Sequence, residues 1–494
     1  MNKYVLGIDQ STQGTKGLLF DEKGALLCRA DLPHKQYIDE RGWVEHDPEE
    51  IYANTLQVVK NLIEKAGINK KEISVLGISN QRETALVWDR KTGKPVYNAV
   101  VWQCARGSEI CKKIAAEHEN AEELVRSHTG LQLSPYFSAA KIAWVLQNVP
   151  GAQEKADRGE LCCGTIDSWL VYKLTGGREF RTDYSNASRT QMFNIGELAW
   201  DPEVCGLFGI PVSCLAEVTD SDGEYGITDF DGYLDAPIPI RGVLGDSHGA
   251  LFGQGCIETG MIKTTYGTGS SIMMNIGKKP VYSKRVVTSL AWKLNGEVNY
   301  VLEGNINYTG AVISWLKNDL KLIDSAGETE ELAKAANPED ETYLVPAFSG
   351  LGAPYWDSDA RAVISGMSRT TGKNEMVKAA LESIAYQISD IVKIMKRTAG
   401  LEIAEIRVDG GPTRNHFLMQ FQSDILNIPV RVPDAEELSG IGAAYAAGIA
   451  MGIYDQKKLF ENVNRTEYKA QMVENERERK MNGWRQAVEK ALRK

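Results

Sequence analysis

The sequence predicts an α/β protein built from two large domains, and three observations support this prediction. The chain has 494 residues, which is enough for two domains that each have a full core. Its composition, with 43% hydrophobic and 25% charged residues, is typical of a soluble globular protein. Short apolar runs alternate along the whole chain with longer amphipathic runs, which indicates mixed strands and helices.

The strands are predicted from short apolar runs that end at turn residues or at a polar residue. The first run ends at Asp9 and is followed by a small, hydroxyl-rich turn and a second apolar run. The pair Lys23-Gly24 then closes a further hairpin, because glycine suits tight turns. The predicted strands are Tyr4–Ile8, Leu18–Phe20, Val75–Ser79, Ala85–Asp89, Arg241–Leu244, Ile262–Tyr266 and Ile406–Val408.

The helices are predicted from amphipathic runs and from their starting residues. Asp47 suits a helix N-cap and Pro48 suits the first turn that follows it. The uncharged segment from Leu438 to Tyr454 is rich in Gly and Ala and is too short to span a bilayer, so it predicts a tightly packed buried helix. The predicted helices are Pro48–Ala66, Ala105–Glu117, Phe137–Asn148, Lys373–Ala399 and Gly440–Gly452.

Charge and cysteine usage exclude several classes of protein. Lys and Arg number 56 and Asp and Glu number 66, and the resulting charge of −10 argues against a nucleic-acid-binding protein. Asp9 interrupts the only apolar run near the N-terminus, so we expect neither a signal peptide nor a membrane span. The eight cysteines lack the spacing of a metal site, and we expect reduced thiols in a cytoplasmic protein.

The segment from Gly7 to Leu27 is the most informative local pattern. A strand that ends in Asp9, a turn of small and hydroxyl residues, and a second strand suit the phosphates of a nucleotide. Backbone N–H groups and hydroxyls bind phosphate oxygens, and a carboxylate at the strand end holds Mg²⁺, usually through water. The alternative is an ordinary β-hairpin with a polar turn. The turn residues in question are Ser11, Thr12, Gly14, Thr15 and Lys16.

The second half of the chain begins with similar elements. Arg241–Leu244 ends at Gly245-Asp246, and Lys263–Ser271 enters another small-residue turn between strands. Two such units would hold one triphosphate from two sides, so we place a boundary near Gly253, with domains of residues 1–253 and 254–494 and the ligand between them. The sequence has no G-x-x-x-x-G-K-[ST] loop, no G-x-G-x-x-G before a helix and no H-R-D loop, so nucleotide binding requires another scaffold.

Longer motifs then occur in a fixed order along nearly the whole chain. They are GWVEHDPEEI (42–51), GISNQRET (77–84), VVWQC (100–104), SPYFSAAKIAW (134–144), TDYSNASRT (182–190), TYGTG (265–269), VPAFSGLGAPYWD (345–357), LESIAYQ (381–387), RVDGG (407–411) and NHFLMQFQSDIL (415–426). Together they resemble the motifs of the FGGY carbohydrate kinases, and within that family the glycerol kinases most closely. The resemblance implies the actin/hexokinase/Hsp70-like (ribonuclease H-like) ATPase fold, with ATP in the interdomain cleft.

The resemblance implies an ATP-dependent kinase that transfers the γ-phosphate to a terminal hydroxyl of a linear polyol or sugar. The family's catalytic aspartate falls on Asp246, which would take the proton of the attacking hydroxyl as a general base. Arg82 and Glu83 match the pair that binds substrate hydroxyls, since Arg offers a donor fork and Glu accepts. Trp102 and Tyr136 match aromatic residues that cover the apolar edge of the carbon chain.

The resemblance also implies where the nucleotide binds. Two turns would contact the phosphates, later segments would contact the adenosine, and Asp9 and Asp246 would hold Mg²⁺. A homo-oligomer, either a dimer or a tetramer, is expected as well. The residues expected to bind ATP are Thr12, Gly14, Thr15, Lys16, Gly267, Thr268, Gly269, Gly310, Ser314, Gly411 and Asn415.

The sequence departs from the glycerol kinase pattern near the acceptor. Ser247 stands where glycerol kinases usually have Gln, and Ser271 stands where they usually have Phe. Both changes shrink a side chain expected to contact substrate, so we expect an acceptor larger than glycerol, such as a four- to six-carbon polyol or ketose. In the alternative, water fills the space and glycerol remains the substrate. On the nucleotide side, the first turn differs from G-T-T-S-S-R and Ser314 replaces a Gln.

Two non-kinase functions remain open from the sequence. One is a non-catalytic ATPase-fold binding module, related to actin or to a chaperone, which would need no polyol pocket. The other is an activator-type sensor that binds a sugar phosphate without turnover. The acceptor residues argue for the enzyme. His248 could act as a second base beside Asp246, but we expect it to form a structural hydrogen bond.

Overall fold

The computed structural model describes residues 3–461 and 463–492. Within them the strands are β1 (Tyr4–Gln10), β2 (Gly14–Phe20), β3 (Leu26–Pro33), β4 (Tyr37–Ile38), β5 (Val44–His46), β6 (Ile73–Asn80), β7 (Ala85–Asp89), β8 (Ala99–Val100), β9 (Leu161–Thr165), β10 (Arg181–Asp183), β11 (Phe193–Asn194), β12 (Ala199–Trp200), β13 (Glu217–Thr219), β14 (Ile227–Thr228), β15 (Ile238–Gly245), β16 (Ile262–Tyr266), β17 (Ser270–Gly277), β18 (Val287–Leu294), β19 (Glu297–Ile306), β20 (Tyr343–Val345), β21 (Val363–Ser365), β22 (Ile406–Asp409), β23 (Val430–Pro433) and β24 (Arg465–Tyr468).

The helices are distributed over both halves of the chain. They are α1 (Pro48–Ala66), α2 (Ser108–Glu117), α3 (Ala121–Thr129), α4 (Ser138–Asn148), α5 (Ala152–Asp157), α6 (Ile166–Leu174), α7 (Tyr184–Ala187), α8 (Pro202–Leu207), α9 (Asp246–Gly253), α10 (Gly310–Asn318), α11 (Thr329–Lys334), α12 (Lys373–Ala399), α13 (His416–Leu426), α14 (Leu438–Ala450), α15 (Gln456–Glu461) and α16 (Glu474–Ala491). Short 3₁₀ helices cover Lys70–Glu72, Val212–Cys214, Ala326–Glu328 and Gly411–Arg414.

The first half is organised around a sheet with the strand order β14-β15-β6-β1-β2-β3. β1 and β2 form an antiparallel hairpin, whereas β6 and β15 run parallel to β1. The register places Asp9 beside Ser79, and Ser79 beside Leu244. Because parallel strands end at the same edge of a sheet, the segments that follow β1, β6 and β15 meet there.

A second sheet in the first half, with the order β4-β5-β8-β7-β9, lies against helices α4, α5 and α6. Its core is formed by buried aliphatic and cysteine side chains, among them Val87, Val125 and Cys163. This sheet positions two aromatic residues of the site, because Trp102 follows β8 and Tyr136 precedes α4.

The second half contains the largest sheet, with the order β18-β19-β17-β16-β22-β23-β24. β16 and β17 form an antiparallel hairpin, and β22 runs parallel to β16 with Thr265 beside Asp409. This hairpin therefore holds the same place beside a parallel strand as the β1–β2 hairpin of the first sheet. The long helix α12 packs across the sheet through buried residues such as Ile384, Ile388 and Ile391.

Helix α14 belongs to the second half in sequence but packs on β1, β6 and β15 of the first sheet. Glycines permit this close contact: a Cβ added at Gly77 or Gly242 would lie 2.3 or 2.4 Å from the carbonyl oxygen of Ala443. The Gly/Ala-rich segment is thus the tightly packed buried helix that the sequence predicts, and this helix contacts the strand backbones directly.

The predicted elements agree with the structure except at some ends. Pro48–Ala66, Ala85–Asp89, Ile262–Tyr266 and Lys373–Ala399 have the predicted bounds. The first turn is shorter than predicted, because Gly14, Thr15 and Lys16 pair with β1 and β3 and form the start of β2. In the part of the chain that the structure describes, no helix is both long and apolar enough to cross a membrane.

Candidate active site

Three adjoining cavities lie along the second half of the chain, and the first two of them also face the first half. The first has a volume of about 680 Å³ and is lined by first-half residues such as Arg82 and second-half residues such as Ser271. The second, of about 560 Å³, shares Thr265 with the first. The third, of about 540 Å³, shares Gly411 with the second. The three cavities therefore form a continuous path along the cleft.

The structure brings most of the predicted site residues into these cavities. The first cavity collects the predicted acceptor residues and the second phosphate turn: Arg82, Glu83, Trp102, Tyr136, Asp246, Ser247, Ser271, Thr12, Gly267, Thr268 and Gly269. The second cavity contains Asp9, Lys16 and Gly411. The third contains Gly310, Ser314, Gly411 and Asn415. The separate motifs of the sequence thus meet in one cleft.

Gly14 and Thr15 are the predicted site residues that lie outside the cavity linings. A Cβ at Gly14 would lie 2.4 Å from the carbonyl oxygen of Leu32 in β3, so this glycine permits a close strand contact. Thr15 is fully buried, and within residues 3–461 and 463–492 its hydroxyl has no hydrogen-bond partner. The pairing of β2 on both sides fixes these two residues inside the sheet, and their phosphate contacts stay a prediction.

Asp246 is the first residue of α9 and follows β15 directly. Its side chain is 36% exposed and faces the first cavity. Oδ1 accepts hydrogen bonds from the Ser247 N–H at 2.6 Å and from Arg82 Nε at 3.1 Å. No described residue donates to Oδ2, so this oxygen is available to a ligand hydroxyl in the cavity.

Arg82 lies between β6 and β7 with its side chain only 5% exposed. Nη1 and Nη2 donate to the two carboxylate oxygens of Glu303, at 2.8 and 2.9 Å. Burial by itself lowers the pKa of Arg82, but the carboxylates of Glu303 and Glu83 outweigh burial and hold the pKa well above its usual range. Arg82 is therefore a permanently charged donor at the edge of the cavity.

Glu83 has a backbone φ of 60°, in the left-handed region that residues with a side chain rarely adopt. The Thr84 N–H donates to the Arg82 carbonyl at 2.7 Å across this tight turn. Arg189 Nε donates to Glu83 Oε1 at 2.6 Å, which fixes the carboxylate. Such strain is common at functional sites, where the surrounding structure holds the backbone in place.

Two aromatic rings form one wall of the first cavity. Trp102 and Tyr136 meet edge to face, with ring centroids 5.6 Å apart. The indole Nε1 donates to Thr12 Oγ1 at 3.0 Å, so the first turn is tied to this wall. Burial raises the pKa of Tyr136, so its phenol stays protonated and can donate a hydrogen bond at neutral pH. An apolar wall with polar ends suits a carbon chain that carries hydroxyls.

Asp9 ends in the second cavity and is 5% exposed. Burial raises the pKa of this carboxyl to about 6, against the lowering effect of Lys16. Oδ1 is buried and has no hydrogen-bond partner among the residues that the structure describes. Lys16 lies opposite Asp9 in the hairpin, and its Nζ forms an ion pair of 2.5 Å with Glu437 at the start of α14. A buried carboxylate oxygen without a partner is a suitable ligand for a cation.

The carboxylates present fit a magnesium ion that is shared with phosphate and water. In the part of the chain that the structure describes, no group of three or more His, Cys, Asp or Glu side chains is arranged to hold a metal. Mg²⁺ usually keeps several waters and takes one or two carboxylates plus substrate phosphates. Asp9 and Asp246 would supply such a partial ligand set.

In the second turn, Gly267 to Gly269, neighbouring backbone segments lie very close together. The Gly267 N–H donates to the Gly269 carbonyl at 2.7 Å, and the Gly310 N–H donates to the Gly267 carbonyl at 2.9 Å. A Cβ at Gly269 would lie 2.3 Å from the carbonyl oxygen of Ile306, so only glycine fits there without displacement. The start of α10 is thereby tied to this turn, which suits phosphate binding by backbone N–H groups.

The third cavity suits a planar base. Asn415 is the N-cap of α13: its Oδ1 accepts from the Leu418 N–H at 2.9 Å, and its Nδ2 donates to Thr329 Oγ1 at 3.1 Å. Gly310 and Ser314 line the side formed by α10. The apolar lining residues are Ile313, Ala326, Leu381, Ile384, Pro412 and Leu418.

His248 lies in α9 and is fully buried, outside all three cavity linings. Nε2 lies 3.4 Å from Ser289 Oγ, and Nδ1 has no hydrogen-bond partner among the described residues. Burial lowers the pKa of His248 well below its usual range, and the charge of Arg82 lowers it further. The imidazole is therefore neutral at ordinary pH, and its position agrees with the expected structural hydrogen bond.

The sequence analysis missed several residues of the cleft. Asn305 and Asn307 line the first cavity, and Asp409 lines the second. Glu303 binds Arg82 from the second half. The sequence contains a signal for the pairing of Glu303, because this residue follows directly on the apolar run Tyr300–Leu302, where a buried charge is costly unless it is paired. Asn305 lies near the end of β19 and Asn307 directly follows that strand, and both side chains line the first cavity.

The chemistry of the cleft is that of phosphoryl transfer. One carboxylate has a free oxygen at an acceptor cavity, a second carboxylate has a free oxygen at the adjoining cavity, and a glycine turn lies between the halves. Phosphoryl transfer requires positioning of the two reactants and compensation of phosphate charge rather than covalent chemistry by the protein.

Comparison with known proteins agrees with this chemistry. Residues 4–253 match the N-terminal domain model of the FGGY family of carbohydrate kinases, and residues 262–451 match the C-terminal domain model. The chain is 51% identical over 492 residues to glycerol kinase 1 of Thermotoga maritima, covering 99% of both chains. It is 49% identical over 493 residues to the glycerol kinase of Carboxydothermus hydrogenoformans, covering 99% of this chain and 98% of that one.

Solved structures extend the agreement to the fold. The crystal structure of Plasmodium falciparum glycerol kinase with ADP superimposes with a TM-score of 0.93 at 37% sequence identity, covering 100% of this chain and 99% of that chain. The predicted actin/hexokinase/Hsp70-like ATPase fold is confirmed by this similarity. Two family models that cover most of the sequence and relatives that match it from end to end lead to one conclusion. The chain belongs to the FGGY family of carbohydrate kinases and is an ATP-dependent kinase with an alcohol group as acceptor.

Proposed function

We propose that this kinase transfers the γ-phosphate of ATP to a terminal hydroxyl of glycerol and forms glycerol 3-phosphate. The observation that carries the proposal is the first cavity, where Arg82, Glu83, Trp102, Tyr136 and Asp246 face one space. Glycerol kinases of Thermotoga maritima and Carboxydothermus hydrogenoformans are about half identical to the chain over their whole length. The similarity favours glycerol over the larger acceptor expected from the sequence.

Each acceptor residue has a role in the proposed reaction. Asp246 takes the proton of the attacking hydroxyl through its free Oδ2. Arg82 donates to one hydroxyl and Glu83 accepts from another, and both are held in place by ion pairs. Trp102 and Tyr136 cover the CH edge of the carbon chain and keep water from it.

ATP occupies the other two cavities in this proposal. The adenine lies in the third cavity near Gly310, Ser314 and Asn415, and the phosphates reach the turn at Gly267 to Gly269. Asp9 and Asp246 would hold Mg²⁺, which would neutralise charge on the phosphates. Lys16 adds a positive charge at the second cavity.

A longer polyol is the second candidate acceptor, and unpaired polar groups in the first cavity favour it. Ser271 Oγ is buried, and no residue in the described part of the chain forms a hydrogen bond with it. The side chains of Asn305, Asn307 and Ser247 line the same cavity without a hydrogen bond from the described residues. Leaving the buried Ser271 hydroxyl unpaired costs about 1–3 kcal/mol, and a longer polyol that reaches it would remove this cost, whereas Asn307 is exposed and Asn305 and Ser247 are half-buried.

A panel of polyols and one ketose as acceptors tests glycerol against a longer polyol. We expect the kcat/KM measured by ADP release to be higher for glycerol than for erythritol, xylitol, ribitol or xylulose. Replacing Ser271 by Phe should leave the value for glycerol within about threefold and lower that for four- and five-carbon polyols at least about tenfold, because a ring fills the space that an extra CHOH unit needs.

Ser271→Ala is the matched control, because it removes the hydroxyl without filling the space. A longer polyol that exceeds glycerol in the unaltered enzyme, with a loss in both Ser271 variants, would establish the second candidate instead. Absence of ADP release with every polyol and ketose would contradict both.

A change at Asn415 tests the adenine site. Asn415→Asp keeps an N-cap oxygen for α13 but removes the amide donor, so we expect the KM for ATP to rise about tenfold while stability is kept. Asn415→Ala removes the cap as well and should lower the free energy of unfolding by about 1 kcal/mol. Urea unfolding and the KM for ATP measure the two effects. An unchanged KM for ATP in both variants would remove Asn415 from the proposed site.

Three further expectations remain part of the proposal. The domains are residues 1–253 and 254–494, and the first of them ends with α9 at Gly253. The enzyme forms a dimer or a tetramer. It acts in the cytoplasm, a location that fits its eight cysteines, none of which forms a disulfide.

A further inference from the structure

A buried cluster of charged side chains connects the two halves behind the first cavity. Arg82, Glu83 and Arg189 come from the first half, and Glu303 comes from β19 in the second half. All four side chains are at most 5% exposed. Glu303 itself is fully buried and lines none of the three cavities, so a ligand in the cleft does not touch it.

Glu303 binds both arginines. Its two carboxylate oxygens accept the paired hydrogen bonds from Arg82 Nη1 and Nη2, and Arg189 Nη1 lies 3.1 Å from Oε2 as an ion pair. Burial alone would raise the pKa of Glu303, but the charges of Arg189 and Arg82 hold it well below its usual range. The carboxylate is therefore ionised at neutral pH.

The hydrogen bonds of Arg82 show which of its N–H donors remain free for a substrate when Glu303 is bound. A guanidinium has five N–H donors in a planar fork. Nε donates to Asp246, and one N–H each of Nη1 and Nη2 donates to Glu303, which leaves two N–H groups. The planar fork fixes the directions of those two groups once the other three are bound. Glu303 thus sets where Arg82 aims its free donors.

We propose that Glu303 is the positioning residue of the acceptor site, which acts through Arg82 without touching the substrate. The carboxylate orients the guanidinium toward the acceptor hydroxyl and toward Asp246. This inference rests on the proposed function only in that the acceptor is a polyol bound by Arg82. Nothing in the cluster contacts the third cavity, so ATP affinity is expected to be independent of Glu303.

Glu303→Gln tests the proposal directly. The amide has nearly the same shape, but its NH₂ group would face an N–H of Arg82, so two donors oppose each other and one charge is lost. We expect the KM for glycerol to rise about 10- to 100-fold, since displacing a binding group has effects of this size, and the KM for ATP to change less than about threefold. Glu303→Asp keeps the charge and should recover part of the acceptor affinity.

Glu405→Gln is the matched control. Glu405 also joins two arginines, with Arg407 Nε at 2.7 Å and Arg431 Nη1 at 2.8 Å, but it lies outside the three cavities. The Glu405→Gln variant should leave the KM for glycerol and the KM for ATP unchanged. If Glu303→Gln fails to fold, as judged by circular dichroism, Glu303→Asp carries the same test, and its KM for glycerol should rise while that for ATP does not.

A double-mutant cycle shows whether Glu303 acts through Arg82. Arg82→Lys keeps a positive charge without the planar fork, so adding Glu303→Gln to it should lower kcat/KM for glycerol by less than about twofold further. Fully additive losses would overturn the proposal, as would an equal rise of both KM values in Glu303→Gln. Turnover of the unaltered enzyme with the acceptor panel tests the proposed function separately, and the best acceptor found there replaces glycerol in the cycle.

Discussion

Replacing Asp246 by Asn is expected to lower kcat by about 10²- to 10⁴-fold, the range that a positioned general base contributes. The amide keeps the oxygen that accepts from the Ser247 N–H and from Arg82 Nε, so the start of α9 stays in place. It cannot take a proton from the attacking hydroxyl. The coupled release of ADP with saturating glycerol and ATP measures the loss.

Binding measurements separate this loss from a structural one. Without Mg²⁺, isothermal titration with a non-hydrolysable ATP analogue should give Asp246→Asn and the unaltered enzyme the same affinity within about threefold, because Asp246 lies outside the third cavity, the proposed adenine site. Asp201→Asn is a suitable control, since Asp201 is the N-cap of α8 and Asn caps helices equally well. Turnover of Asp246→Asn close to that of the control would exclude Asp246 as the base.

Local patterns in the sequence were sufficient to predict the elements that form the cleft. The run that ends at Asp9 and the strand that ends at Gly245 are both at the edge where the parallel strands of the first sheet end. Periodicity and capping residues located α1 and α12 to the residue, because long amphipathic helices carry strong signals. Motif order then placed the acceptor and nucleotide residues on their separate segments.

Contacts between distant segments were beyond the reach of the sequence. Glu303 is 221 residues from Arg82 along the chain, and only the folded arrangement shows that the two pair. Lys16 reaches Glu437 across a separation of 421 residues. The expected phosphate contacts of Gly14 and Thr15 rested on a turn that is in fact the start of β2, since pairing with β1 and β3 prevails over the turn preference of these residues.

The position of α14 explains why the two halves act as one site. Its sequence lies in the second half, yet it packs on β1, β6 and β15, and its first residues adjoin the ion pair of Lys16 with Glu437. Dividing the chain into two domains at a single residue would therefore separate the first sheet from α14, the helix that covers one of its faces. The second cavity depends on the same helix, because Leu438 and Ser439 line it beside Asp9.

Asp9→Asn is expected to lower turnover about 10²- to 10³-fold and to make the free enzyme more stable at pH 8. Turnover falls because an amide is a poorer ligand for Mg²⁺ than a carboxylate. Burial raises the pKa of Asp9 to about 6, above its unfolded value of 3.8. The folded state therefore binds the proton more tightly, and its stability falls as the pH rises from about 4 through 6. Asn removes this penalty of about 1–3 kcal/mol.

Urea unfolding checks the sign of this effect. Asp9→Asn should exceed the unaltered enzyme in free energy of unfolding at pH 8, and the difference should vanish below about pH 3, where the carboxyl is protonated in both the folded and the unfolded state. Asp167→Asn is the matched control, because burial also raises the pKa of Asp167 to about 6 but its oxygens accept from Thr165 and Thr182 away from the cleft. That variant should lose stability and keep its turnover.

Thermal unfolding with ATP then tests the metal role of Asp9. Mg²⁺ together with ATP should raise the midpoint of the unaltered enzyme and of Asp167→Asn more than ATP alone, because a ligand that binds only the folded state stabilises it. In Asp9→Asn this additional increase should be absent or strongly reduced. If the increase from Mg²⁺ persists in full, the metal is held by other groups, and the buried, unpartnered Oδ1 of Asp9 then needs a different explanation.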